Sequence, residues 1–433
     1  MPQRPLVDAI GEWLIDQALA EPDIVDMFEQ TCCRLDGSGI PLGRARLTWP
    51  TLHPLFRAET LLWKRGETVE FEQFRHRDEA SDEWLVSPMK YMFDNRIDTM
   101  RRNLDGPNQR LDFPLMHELK EAGYTDYFVV VTGLEGQKEL SGRPDPAAAD
   151  LMGPSSAEGR GIVVTWSADR AGGFSDDDIE ALQNIQRRFA VAVKTVIQRR
   201  ISTNIAETYL GTRVGREVLS GAIKLGDGMR VKAVIFYADM RNSTPLADTM
   251  DPEAFVTLLD DYFIHTAGAV EAENGEVLDF VGDAMVGIFR YTDDATMREA
   301  CAQARRAMER AFADVHRANA KRVSEGRMTL RFGIALHAGE ITFGNIGIPS
   351  RLTFAAIGSA MNEAARIEEL TKAIEADGLA SADVAAHDPD HWHSVGEYRL
   401  TGVSQPCELF ALNGVEAFQA TETAETRPMP LRV

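Results

Sequence analysis

The chain has 433 residues, 44% hydrophobic and 26% charged, a composition typical of a globular protein with two or three domains. Its 46 Lys and Arg residues stand against 67 Asp and Glu residues, a formal net charge of -21, which argues against nucleic acid or an anionic membrane surface as a partner. No apolar stretch has the length of a membrane span, and the four cysteines show no disulfide or metal spacing, so we expect a cytoplasmic protein.

The N-terminal half predicts a mixed α/β domain. Apolar residues recur with helical spacing over Val7–Leu35, interrupted at Pro22. Runs of β-branched and aromatic residues then predict strands at Arg44–Trp49, Thr60–Gly66 and Thr68–Phe74. The next predicted elements are a helix over Ser87–Leu104, a helix over Phe113–Gly123, and strands over Tyr127–Gly133 and Gly161–Ser167, the last two separated by a loop rich in Gly, Pro and Ala.

A long helix is predicted after Ser175, which is a good N-cap followed by acidic residues. Its apolar residues alternate in steps of three and four and form one narrow stripe: Ile179, Leu182, Ile185, Phe189, Val193, Val196 and Ile201. Such a stripe is typical of a two-helix seam, and we interpret it as a dimerising signalling helix. The alternative is a helix packed on its own sheet.

Two carboxylates in the C-terminal half each follow an apolar strand. Asp239 ends the run KAVIFYAD and precedes a small polar turn that includes Asn242, Ser243 and Thr244. Asp283 lies at the predicted tip of a hairpin, EVLDFVGDAMVGIF. Carboxylates at adjacent strand ends are ligands that Mg²⁺ or Mn²⁺ prefers, and the free N–H groups of the turn suit a polyphosphate. The sequence therefore predicts a site for a metal-bound polyphosphate.

Four blocks, FYADMRNSTPLA, LDFVGDAMVGIF, LRFGIALHAGEITFGNIG and FAAIGSAMNEAARIEEL, occur in the order and spacing of class III adenylate/guanylate cyclases. The chain resembles that family from about Val231 to Leu412. The resemblance implies a ferredoxin-like α/β catalytic domain, and three predicted helices fall where that fold needs them: Pro252–Ala272, Thr296–Val323 and Ser359–Lys372.

The resemblance also implies roles for single residues. Asp239 and Asp283 would hold two metal ions in each active site, with the Met240 carbonyl as an additional ligand. Asn362 would orient the ribose and Arg366 would stabilise the transition state. In the family the metal site of one subunit faces the Asn/Arg helix of the other, so a chain with one such domain is expected to be a homodimer.

The positions that select the base depart from the adenylate pattern. Asp279 stands where adenylate cyclases usually have Lys, and Ala355 stands where they have Asp or Thr. An ionised carboxylate only accepts hydrogen bonds, which favours guanine over adenine. Family frequency favours ATP, and we place ATP ahead of GTP. Thr401 stands in the position of a phosphate-binding Lys, for which Arg399 is a nearby substitute.

The N-terminal region resembles a GAF-type sensory domain in its layout. We therefore predict four segments: a GAF-like regulatory domain at 1–174 with an unidentified small-molecule ligand, a signalling helix and linker at 175–229, the cyclase domain at 230–413, and a disordered tail at 414–433. The histidines of HDPDHWH (His387, His391 and His393) are interpreted as an exposed polar turn in preference to a transition-metal site.

The predicted function is a cyclase that converts a nucleoside triphosphate to the 3′,5′-cyclic monophosphate and pyrophosphate in signal transduction. Two alternatives stay open. One is a nucleotide-binding regulator with weak catalysis, because the base-selecting pair is absent. The other is a cyclase for guanosine or pyrimidine triphosphates.

Overall fold

The computed structural model describes residues 4–20, 22–76, 81–134, 161–221, 224, 228–348, 350–374, 376–403 and 405–414. The chain divides into two compact units, Met1–Thr208 and Tyr209–Val433. Among the described residues, no helix combines the length and apolar character needed to cross a bilayer. The predicted Gly- and Pro-rich loop before Gly161 and nearly all of the predicted C-terminal tail lie outside the described residues.

The N-terminal unit begins with two helices, α1 (Arg4–Ala20) and α2 (Ile24–Gly37), separated near Pro22 as predicted. The Asp23 carboxylate caps α2 by accepting hydrogen bonds from the next backbone N–H groups. The elements that follow are β1 (Leu42–Pro50), β2 (Phe56–Lys64), β3 (Glu70–Arg75), α3 (Asp82–Leu85), α4 (Pro88–Asp94), β4 (Thr99–Asn103), α5 (Pro114–Glu121), β5 (Asp126–Gly133) and β6 (Gly161–Ala168).

Six strands form one antiparallel sheet in the order β3-β2-β1-β6-β5-β4. Because side chains alternate across a strand, Ala45, Leu47 and Trp49 of β1 join a core with α1 and α2, whereas Arg44 and Arg46 face the opposite side. That opposite side carries a second, smaller core, to which α4 contributes Met92 and α5 contributes Met116 and Leu119. One face of the sheet therefore packs against α1 and α2, and the other packs against α4 and α5.

The predicted helix over Ser87–Leu104 is wrong in its second half. The helix α4 ends at Asp94, and Arg96 adopts a left-handed backbone with φ 53°. Residues Thr99–Asn103 form β4, an edge strand that pairs with β5. Pairing along β5 satisfies the backbone groups of this segment and overrides its helical pattern.

Helix α6 (Asp176–Leu210) begins where predicted, with the Ser175 hydroxyl accepting a hydrogen bond from the Asp178 N–H at 3.2 Å. All seven residues of its apolar stripe lie in, or pack against, the core of the N-terminal unit. The interpretation of this stripe as a dimer seam is therefore wrong, and the alternative of a helix packed on its own sheet is correct. The core that these residues join includes side chains of α1, α2 and the sheet.

The C-terminal unit contains a mixed α/β fold. Its elements are α7 (Thr212–Leu219), β7 (Gly228–Met240), α8 (Ser243–Thr249), α9 (Pro252–Ala272), β8 (Glu276–Val281), β9 (Ala284–Tyr291), α10 (Asp294–Ser324), β10 (Phe332–Ile348), β11 (Arg351–Ile357), α11 (Ser359–Ile374), β12 (Gly378–Ser381), α12 (Ala382–His387), a 3₁₀ turn (Pro389–His391), β13 (Trp392–Tyr398) and β14 (Cys407–Leu412). The three helices predicted for this half are confirmed as α9, α10 and α11.

The strands form one sheet in the order β13-β14-β12-β10-β7-β9-β8, with β11 paired to β10. Helices cover both faces of its centre. Val234 and Phe236 of β7 pack in a core with α9 and α10, and Ala233 and Ile235 pack in another with α11. The part of β7 from Ala233 to Ala238 is packed on both faces, and its sequence is a run of apolar and aromatic residues that leads directly to Asp239.

Candidate active site

Asp239 and Asp283 lie at the ends of neighbouring strands, as predicted. Asp239 is the next-to-last residue of β7 and pairs with Ala284, the first residue of β9. Asp283 immediately precedes Ala284, in the β8–β9 turn where Gly282 has φ 65°. That turn requires a left-handed residue, which glycine provides without strain. The local hairpin therefore places both carboxylates at the same edge of the sheet.

The charges at this edge repel each other. Burial, and then the charge of Asp283, raise the pKa of Asp239. The ammonium group of Lys372 opposes this shift, with its Nζ 3.2 Å from Oδ2 of Asp239. Lys372 lies near the C-terminal end of α11 and was not among the predicted site residues. No motif indicates it, since its contact with Asp239 joins residues far apart in the chain.

The donor set fits Mg²⁺ or Mn²⁺. Within the described residues, no group of three or more His, Cys, Asp or Glu side chains forms a metal site, so the protein offers this edge two carboxylates. Magnesium is commonly held by one or two carboxylates, with water and substrate phosphates completing its octahedral shell. The repulsion that raises the pKa of Asp239 is also what a divalent cation relieves.

The turn after β7 leads into the short helix α8. Asn242 has φ 59° and ψ 26°, a left-handed conformation that Asn tolerates, and its side chain makes no capping hydrogen bond. Ser243 is half-buried and Thr244 is exposed. The backbone of this turn therefore changes direction close to Asp239 and leaves the polar side chain of Asn242 exposed.

Arg241 anchors this turn to α11. Its Nη1 donates to Glu368 Oε1 at 2.9 Å, its Nη2 donates to the Thr371 hydroxyl, and Asp377 Oδ1 lies 3.7 Å away. Glu368 is 2% exposed, and burial raises its pKa to about 7 against the opposing effect of the Arg241 guanidinium. The sequence analysis did not predict this network, although Arg241 follows Asp239 by two residues.

Asn362 and Arg366 are exposed on one face of α11, and the Arg366 Nη1 donates to Glu369 Oε2 at 2.9 Å. Both belong to the helix whose Lys372 contacts Asp239. With a rise of about 1.5 Å per residue, the Cα atoms of Asn362 and Arg366 lie roughly 15 and 9 Å, respectively, from that of Lys372 along the helix axis. Among the described residues, no hydrogen bond or ion pair joins Asn362 or Arg366 to Asp239 or Asp283.

Asp279 is exposed on the edge strand β8, beside a register shift between Val277 and Asp279, and its Oδ1 accepts a hydrogen bond from the Phe280 N–H at 2.9 Å. Ala355 is half-buried on β11, and β8 and β11 are in contact. Arg399 and Thr401 are exposed in the segment after β13. The two positions expected to select the base thus lie on strands that contact each other without being paired.

The three histidines of HDPDHWH do not converge. His387 Nδ1 lies 2.8 Å from the Asp383 carbonyl, His391 Nε2 lies 3.7 Å from Asp388, and His393 Nδ1 lies 2.8 Å from Asn413 Oδ1. Each ring has its own local partner.

Residues 230–380 match the family model described as the adenylate and guanylate cyclase catalytic domain. Uncharacterized proteins of Mycobacterium tuberculosis and Mycobacterium bovis are 33% identical over 237 residues, which cover 53% of this chain and 40% and 41% of theirs. The chain thus spans about two fifths of the length of the curated relatives it matches.

Similar solved structures include the adenylyl cyclase CyaB from P. aeruginosa, at 21% identity and a TM-score of 0.39, over 43% of this chain and 95% of that chain. A bacterial light-regulated adenylyl cyclase is similar at 22% identity and a TM-score of 0.44, over 55% of this chain and 66% of that chain.

Proposed function

We propose that this chain, whose residues 230–380 form an adenylate/guanylate cyclase catalytic domain, converts a nucleoside triphosphate to its 3′,5′-cyclic monophosphate and pyrophosphate. The observation that supports this most strongly is the meeting of Asp239 and Asp283 at one sheet edge beside an open turn. We place ATP ahead of GTP as substrate and the protein in the cytoplasm.

Asp239 and Asp283 would hold two Mg²⁺ or Mn²⁺ ions, with the Met240 carbonyl as a further ligand. Bound metal supplies Lewis acidity, which lowers the pKa of the ribose 3′-hydroxyl and neutralises the phosphates. Phosphate oxygens would be bound by the backbone and side chains of Asn242, Ser243 and Thr244. Arg399, in the segment after β13, would also bind them.

The reaction is an in-line displacement at phosphorus. The 3′-oxygen forms a bond to the α-phosphorus, the bond from that phosphorus to the bridging oxygen breaks, pyrophosphate leaves, and the hydroxyl proton passes to solvent. Arg366 stabilises the charge that develops on the phosphoryl oxygens, and Asn362 orients the ribose. Both roles require positioning and electrostatics and no covalent intermediate.

We propose a homodimer because, among the described residues, neither Asn362 nor Arg366 contacts the carboxylate pair of its own chain through a hydrogen bond or ion pair. A partner chain would supply them in an isologous arrangement. Exposed large apolar side chains on three strands of the C-terminal unit also favour contact with another protein surface. They are Phe280 and Val281 of β8, Ile346 and Ile348 of β10, and Ile357 of β11.

The choice of base rests on Asp279 and Ala355. Asp279 accepts hydrogen bonds and so favours the N1–H and amine of guanine, while Ala355 offers neither a donor nor an acceptor. Guanosine or pyrimidine triphosphates therefore remain alternative substrates. A nucleotide-binding regulatory protein with weak catalysis remains the alternative from a different functional class.

Incubation of the purified chain with Mn²⁺ and each of the four nucleoside triphosphates, with mass identification of the product, separates these possibilities. We expect a cyclic monophosphate that disappears in Asp283→Ala and persists in Asp260→Ala, a change at an exposed carboxylate of α9. Loss of a residue needed for charge stabilisation lowers kcat by about a hundredfold or more. Full activity in Asp283→Ala would refute the metal role, and no product from any triphosphate would refute the enzyme.

We also propose that residues 1–174 form a GAF-like regulatory domain and that 175–229 connect it to the cyclase domain. The continuity of α6 from the N-terminal core to Leu210 supports a mechanical connection. We expect a shortened protein that begins near Gly228 to differ from the full chain in specific cyclase activity when both contain the same fraction of dimer. Equal specific activity would contradict coupling between the regulatory and cyclase domains.

A further inference from the structure

The polar side chains on the second face of the N-terminal sheet form an unusual row. Strand register places Lys64, Arg44, Ser167, Tyr127 and Arg102 side by side across β2, β1, β6, β5 and β4. Directly paired residues point to the same face of a sheet. A cation or hydroxyl therefore occupies every position of this row.

The outer cations of the row are neutralised and the central one is not. Lys64 Nζ lies 3.3 Å from both Glu67 and Glu70, and Arg102 Nε donates to Asp112 at 2.9 Å. Arg44 is 9% exposed and, within the described part of the chain, has no hydrogen bond or ion pair from its side chain. Burial, with the repulsion of Arg46, lowers its pKa. Tyr127, Tyr124 and Glu72 oppose this shift without forming a hydrogen bond or ion pair with Arg44 among the described residues. A largely buried guanidinium without a directly paired carboxylate is costly in free energy.

The neighbours of Arg44 are also unsatisfied. The Tyr127 hydroxyl, the Ser167 hydroxyl and the Thr165 hydroxyl are buried without a hydrogen-bond partner among the described residues, and so is Nε of Arg46. These side chains are 1%, 0% and 5% exposed for Tyr127, Ser167 and Thr165. Most buried polar groups in native proteins are paired, so a cluster of unpaired donors on one face indicates that something else completes it.

The residues around these unpaired hydroxyls indicate what the rest of the ligand is like. Tyr127 belongs to the second core, together with Met100, Met116 and Leu119, and Tyr124 and Phe113 pack against that core. Thioether and aromatic side chains suit a flat or irregular apolar body. The donors face this apolar layer from the sheet.

We infer that this face of the N-terminal unit is a binding site for a small organic anion, with a carboxylate or phosphate group on Arg44 and an apolar body against the methionine-rich core. The Tyr127, Ser167 and Thr165 hydroxyls donate to the remaining anion oxygens. This inference concerns the N-terminal unit and does not depend on the proposed cyclase activity.

Thermal unfolding of the full chain tests the site with three probes: benzoate, phenyl phosphate and the neutral match benzyl alcohol. A ligand that binds only the folded state raises the melting temperature. We expect a concentration-dependent rise with at least one of the two anions and none with the alcohol. Arg44→Met should weaken the anion affinity at least about tenfold, and Arg75→Met, at an exposed Arg of β3, should leave it unchanged.

The melting temperatures of the wild type and the variants without added ligand give a second test. Arg44→Met removes an unpaired buried charge and should raise the melting temperature without ligand, whereas the loss of a structural ion pair would lower it. Tyr127→Phe removes an unpaired hydroxyl, so it should weaken anion binding without lowering stability. The inference is overturned if neither anion raises the melting temperature, if Arg44→Met responds like the wild type, or if Arg44→Met is destabilised without ligand.

Discussion

Glu368 is buried near Asp239, and two opposing effects act on its charge. Burial and the nearby Asp239 raise its pKa, while Arg241 and Lys372 lower it, and the result is about 7. Because the pKa is higher in the folded protein than its ordinary value of 4.5, the folded state binds this proton more tightly than the unfolded chain. Stability contributed by Glu368 is therefore present at low pH and lost as the pH rises toward 7.

Glu368→Gln should remove this pH dependence. Relative to the wild type, the melting temperature of the variant should rise between about pH 5 and pH 7 and stay level above that, because the wild type carries the charged, buried form there. Calorimetry at four pH values measures it, with Glu369→Gln as the control at an exposed neighbour. A difference that is flat with pH, or one that falls, would show that the Arg241 pair outweighs burial.

The contact between Lys372 and Asp239 has a different meaning because it is more exposed. The side chains of Lys372 and Asp239 are 48% and 22% exposed. Partly exposed ion pairs contribute about 0–1 kcal/mol to stability. A divalent cation can therefore displace the ammonium from Asp239 with little loss of stability, which is consistent with a metal site at this edge.

At the scale of elements, close approach between β10 and α11 holds the site together. Gly333 pairs with Asp239 across the β7–β10 ladder. A Cβ at Gly333 would lie 2.4 Å from Arg241 Nη2, 2.5 Å from Glu368 Oε1 and 2.5 Å from Thr371 Oγ1. The absence of a side chain at this position makes room for the ion-pair network that anchors the turn after Asp239.

Gly333→Ala should therefore displace the Arg241–Glu368 pair. We expect a loss of about 1–3 kcal/mol in stability from overpacking, with lower cyclase activity because the turn moves. Gly268→Ala is the matched control, since a Cβ there meets no atom within 4 Å on helix α9. It should be neutral or stabilising in the same calorimetric and activity measurements. Equal behaviour of the two variants would contradict the anchoring role of Gly333.

Local patterns made the C-terminal elements predictable. The Asp239 strand, the Gly282–Asp283 hairpin and helix α11 each depend on residues close in sequence, and all appear where predicted. Lys372 and Glu368 were not predicted because their partners lie far away in the chain. The stripe of α6 was misinterpreted for a related reason: its packing partners on α1, α2 and the sheet lie far away in the chain.

At the scale of the whole molecule, the two units present separate chemistry. The C-terminal unit presents a carboxylate pair on one edge and an Asn/Arg pair on α11, which under the proposed function are two complementary half-sites. The N-terminal unit presents a buried cation without a partner. A two-fold dimer would complete the half-sites, and an anion would complete the row at Arg44.

Mixing two inactive variants tests the shared site most directly. Asp283→Ala removes a proposed metal ligand and Arg366→Ala removes the group proposed to stabilise the transition state, so each homodimer should be inactive. A mixed dimer retains one intact site, and random exchange should restore about a quarter of wild-type cyclic nucleotide production. An inactive mixture, with mixed dimers verified by native mass spectrometry and the wild type active, would contradict an active site shared between two chains.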